Sequence, residues 1–151
     1  MCCTDADRLG AENRVTASEH RRVVHGGTSI SDSSPPEELH VLRKRGKELR
    51  YALEVFSPVL EKSHRKRVVD DLKGLQDVLG RFQDAEVQLR VLRGFAETEA
   101  GEAPAEAVLA VGELIGHLAG VEAAARQELD ASFARFAGKG STRLLRSLAS
   151  S

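Results

Sequence analysis

From Val68 to Ala96 an apolar residue recurs every three or four positions: Val68, Leu72, Leu75, Leu79, Phe82, Ala85, Leu89, Leu92 and Ala96. On a helix this spacing makes one continuous stripe; on a strand it would scatter over both faces. The stretch predicts a long amphipathic helix starting near His64. Its weakest point is Gly80 with Gln83-Asp84, where Gly would close one helix and Asp open the next. The spacing runs through that point, so a continuous helix with at most a kink is expected.

Residues 39–56 divide as cleanly. At about 100° per residue, Leu39, Leu42, Gly46, Leu49, Leu53 and Phe56 share one stripe. His40, Lys44, Lys47 and Tyr51 line the opposite face, with Arg43 and Arg50 at its edge. Ser34-Pro35-Pro36-Glu37 reads as the start of this helix: serine as N-cap, proline at the first helical position, and Glu37 three residues after the serine closing a capping box. Ser57-Pro58 interrupts it, because proline lacks the N–H donor and pushes the preceding residue off helical angles. Val59-Leu60 adds one more turn before Lys62-Ser63.

Residues 98–104 form the next connection. A last long helix is expected from Pro104 to Phe136, its buried stripe drawn from Val108, Val111, Leu114 or Ile115, Leu118, Val121, Ala125, Leu129, Phe133 and Phe136. Gly112, Gly116 and Gly120 recur on one face of it, which suggests close approach of a neighbouring helix or simple tolerance of glycine. Gly138-Lys139-Gly140 ends it, and residues 143–148 can form a short amphipathic helix. Residues 1–36 lack a sustained period and end in a Ser/Pro-rich run, so a mostly disordered leader is expected there, with His20, Arg21, Arg22 and His25 as incidental solvated residues. No strand signal competes. Low aromatic content, 4% with no Trp, leaves Leu, Val and Ala to fill the interior. The expected fold is all-α, an antiparallel bundle of long helices, with residues 37–137 as its domain and 138–151 as a short basic tail or helix.

The formal charge of −1 conceals a segregation. Residues 40–73 hold ten Lys/Arg against five Asp/Glu, whereas residues 1–39 hold four against seven and residues 74–151 eight against eleven. A protein that coats nucleic acid spreads positive charge more widely, so nucleic acid is disfavoured as a partner. Cys2 and Cys3, the two cysteines, give neither a disulfide framework nor a metal site, and acylation of the pair has no support around it. No apolar run approaches the ~20 residues that cross a bilayer, and no hydrophobic signal core opens the chain, so no membrane role and a cytoplasmic location are expected.

Catalysis has little support. The chain lacks a Gly-rich loop ending in Lys-Ser/Thr, a His-Glu-x-x-His and a cysteine pair at metal spacing. Asp70, Asp77 and Asp84 share a face that would chelate a hard cation, but solvation or pairing with Lys66, Lys73 and Arg81 accounts for them better. No metal or cofactor is expected. What remains is the basic face. Glu54 alone is acidic on it, so i,i+4 pairs do not neutralise it. Lys62, Lys66, Lys73 and Gln76 also fall on one side of the second helix. Two helices packed through their apolar stripes would gather these cations along a shared groove, where Arg and Lys meet phosphate oxygens and Tyr51 adds a hydroxyl. Protonated His40 would strengthen binding as pH falls. Charges strung along about three helical turns suit a repeating polyanion. An RNA-associated helical domain would interleave more aromatics; a helical protein-interaction module with a solvated basic face is the other alternative.

The pattern His40-x-x-Arg43-Lys44-x-x-Lys47-x-x-Arg50-Tyr51-Ala52-Leu53-Glu54, followed by Leu72-Lys73-x-Leu75-Gln76-Asp77-x-Leu79-Gly80-x-x-x-Asp84, resembles the second half of a CHAD domain, over about residues 38–136. The resemblance implies a helical bundle that binds inorganic polyphosphate without catalysis and associates with polyphosphate granules. It implies a binding role for His40, Arg43, Lys44, Lys47, Arg50, Tyr51 and Lys73, to which the basic face adds Lys66. A full CHAD domain has two related halves. With no first half expected in residues 1–37, a homodimer that rebuilds the two-fold groove is the expected assembly.

Overall fold

The computed structural model describes residues 5–55 and 62–149, without the side chains of residues 5, 6, 64, 145, 146, 148 and 149. Five helices follow one another: α1 (Asp5–Thr28), α2 (Pro36–Val55), α3 (Lys62–Thr98), α4 (Ala105–Phe136) and α5 (Lys139–Ala149). No strand occurs among the described residues. The fold is the all-α antiparallel bundle expected. Helices α1 and α2 form one hairpin and α3 and α4 a longer one; α2 packs on α3, and α5 on α1 and α3.

The stripes read from the sequence form the core. Leu39, Leu42, Leu49 and Leu53 of α2 meet Val68, Leu72, Leu75, Leu79 and Phe82 of α3, together with Ala125, Leu129 and Phe136 of α4 and Leu144 of α5. A Cβ built at Gly46 would stand 3.7–3.8 Å from Gln76 and Leu72, ordinary contact distance, so α2 and α3 pack here without requiring a glycine. Helix α3 continues through Gly80 without a break. Phe56 and the Ser57-Pro58 interruption lie outside the described residues.

Residues 5–28 depart from expectation: they form α1, not a disordered leader. The face of α1 turned to the core is largely polar, with Asn13, Thr16 and His20 buried beside Val23, so no apolar period announces it. Burial of such a face requires polar partners. His20 Nε2 lies 2.7 Å from Ser141 Oγ on α5, and its ring packs on Phe136 with centroids 5.3 Å apart. Gly27 allows α1 to close on α4, since a Cβ there would fall 1.9 Å from the Phe133 ring.

The start of α2 also differs in detail. The helix begins at Pro36, and Ser34 Oγ donates to Glu38 Oε2 at 2.8 Å, a side-chain bond in place of the capping box expected with Glu37. Arg126 of α4 fixes this turn by donating from Nη1 to the carbonyls of Asp32 and Ser34 at 3.1 and 3.0 Å.

The expected stripe of α4 reaches full burial only in its C-terminal half; upstream, Val111, Ile115, Leu118 and Val121 are half-buried. Val108 and Leu114 stay exposed, and no atom lies within 4 Å of a Cβ built at Gly112, Gly116 or Gly120, so the glycines serve no close approach within this chain. Among the described residues, Ala105–Leu144 includes one helical window long and apolar enough to cross a membrane by length and composition, which departs from the expectation that no apolar run approaches that length.

Candidate functional site

Helices α2 and α3 run antiparallel, and their polar edges meet along one side of the bundle. There Arg43, Lys47 and Arg50 of α2 face Lys73, Gln76, Asp77, Gly80, Arg81 and Asp84 of α3 around an open cleft of about 510 Å³. On α2 the three cations are spaced by four and three residues, one per helical turn on one edge. On α3 Gly80 opens the wall, with nothing within 4 Å of where its side chain would stand. Arg50 Nη1 donates to Gln76 Oε1 at 3.2 Å, and Arg50 Nε lies 3.4 Å from Glu54 Oε1.

Two acidic residues, Asp77 and Asp84, share the cleft wall. Asp77 attracts Arg81 electrostatically, but the hydrogen-bonded partner of Arg81 is Glu128 of α4, with which it forms a two-pronged ion pair. That hydrogen-bonded partner raises the Arg81 guanidinium above its ordinary range and holds the Glu128 carboxyl below its own. Both side chains are about half exposed, so water screens the pair and it adds little stability.

Four of the eight residues read from the sequence therefore converge: Arg43, Lys47, Arg50 and Lys73. His40 lies further along the same two helices, with Nδ1 3.0 Å from Gln83 Oε1, and lines a neighbouring cavity of about 380 Å³ with Glu86 and Arg90. Lys44 and Lys66 are exposed and do not line the cleft. Tyr51 is exposed and lies beneath the Arg50 guanidinium, 5.7 Å from its ring centroid. The side chain of His64 lies outside the described residues, and Arg67 packs against Gly140 of α5. The cleft walls Asp77, Arg81 and Asp84 carry no charge asymmetry in sequence, so only their register against α2 places them in the cleft.

The cleft is thus open, edged by cations of α2 and walled by mixed charges of α3, in an all-α bundle. The CHAD domain family matches residues 11–93, more than half of the chain, and the protein belongs to that family. The match begins within α1, well before the motifs of α2, and ends in α3. CHAD domains are of a polyphosphate-binding type and are generally non-catalytic. No curated protein matches the chain.

Proposed function

We propose that this protein binds inorganic polyphosphate without catalysis, laying the polyanion along α2 and α3. The observation that carries the reading is the convergence of Arg43, Lys47 and Arg50 with Lys73 on one open cleft. The guanidinium forks take phosphate oxygens in pairs and the ammonium groups add point charges. Polyphosphate repeats its charge at short intervals, so one chain reaches the cleft and continues past His40 and Gln83 toward Arg90. Lys44, Tyr51 and Lys66 lie outside this track and act as secondary, solvent-screened contacts. A cytoplasmic location at polyphosphate granules follows from the ligand.

Titration with long-chain polyphosphate at two salt concentrations tests the reading. Tight binding that weakens steeply with salt is expected. Lys47→Glu/Lys73→Glu should lower affinity at least about tenfold, since it reverses two charges at the cleft, whereas Lys44→Glu should change it far less. Equal competition by RNA of matched charge, or binding indifferent to the cleft variant, would overturn it.

A further inference from the structure

The buried row of α4, Ala125, Leu129 and Phe136, continues upstream at helical spacing as Leu118 and Val111, flanked by Leu114 and Val108. The α1–α2 turn is tied to Arg126, so the cover those helices give ends near that level. Beyond it α3 and α4 project as an arm. Leu114 is 50% exposed and Val108 39%, while on α3 the buried row ending at Leu89 passes to a half-buried Leu92 and an exposed Ala96. Val111 and Leu118 are half-buried. An apolar face of this kind, continuous with the core yet only partly covered, marks an interaction surface.

Charge on the arm selects what covers it. Arg90 and Arg93 stand at its base; from residue 94 to residue 125 there is no Lys or Arg, and Glu97, Glu99, Glu102 and Glu106 gather at its tip. Arg90 is engaged by Glu86 at 2.7 Å. We propose that a second copy of this chain covers the face, its arm antiparallel to the first. Each acidic tip then lies over Arg93 of the other copy, and two hairpins close a four-helix bundle about a two-fold axis. A parallel, tip-beside-tip pairing would oppose glutamate to glutamate. A lipid surface is a poorer match, because Glu106, Glu113 and His117 interrupt the apolar stretch and anionic headgroups repel the tip.

No cleft residue takes part, so sedimentation analysis of the full chain without polyphosphate tests this apart from the binding proposal. A dimer at micromolar concentration is expected. Leu114→Lys should raise the dissociation constant at least about tenfold while leaving helicity intact, since the side chain is already half exposed in the single chain. Arg93→Glu should weaken the dimer and Arg93→Glu/Glu99→Arg/Glu102→Arg restore it, a rescue that loss of folding would not give. A monomer at every concentration, a dimer unaffected by Leu114→Lys, or capture by phosphatidylserine vesicles in place of self-association would overturn the proposal.

Discussion

Arg50 and Gln76 are joined across the α2–α3 interface, Nη1 donating to Oε1 at 3.2 Å. The bond ties a cleft cation to the neighbouring helix, while Glu54, at 3.4 Å, draws Arg50 along its own helix. The guanidinium is thus set in place before any anion arrives, which lowers the ordering cost of binding.

Gln76→Ala should leave Arg50 free to follow Glu54. Polyphosphate affinity is expected to fall several-fold, with a stability loss of about 1 kcal/mol or less for one partly buried hydrogen bond. Isothermal titration paired with thermal melts checks this; unchanged affinity would show that Arg50 needs no second helix to hold it.

Gly80 sits inside α3 with open space where a side chain would stand. Gly80→Ala should therefore stabilise the protein by about 1 kcal/mol through helix propensity. Gly80→Leu should keep most of that gain while filling the cleft, so that stability and polyphosphate affinity move in opposite directions. Denaturant unfolding and binding measured on the same samples separate the two.

His20 is 1% exposed, and burial pushes its pKa from the ordinary 6.5 to about 4. Between those values the unfolded chain holds a proton on His20 that the folded chain refuses. Stability from this group is therefore complete above about 6.5 and is lost as pH falls through that window to about 4, by on the order of 3 kcal/mol. His20→Phe should flatten this part of the stability curve, leaving the contribution of the carboxylates. Melts at matched pH values, compared between the two proteins, give the difference; parallel curves would rule the histidine out.

How far the sequence led differs from helix to helix. The stripes of α2 and α3 were legible because leucines at three- and four-residue spacing report directly which face is buried. Helix α1 was not, because its inward residues are Asn13, Thr16 and His20, and their burial makes sense only once Ser141, some 120 positions away, lies opposite. On α4 periodicity located the apolar face without saying how far a neighbour covers it: of the two residues read for one turn, Ile115 is half-buried and Leu114 half exposed.

The same limit applies to the cleft. The order of residues along the chain determined that positive charge concentrates between residues 40 and 73 and that the chain folds as helices. Which of those charges act together was decided by the register of α2 against α3, which brings Arg43, Lys47, Arg50 and Lys73 to one opening, turns Lys44 outward and sets Asp77 and Asp84 in the same wall. The face of one helix follows from its own period; the meeting of two faces depends on how their side chains interlock, here recorded by Arg50 against Gln76 and His40 against Gln83.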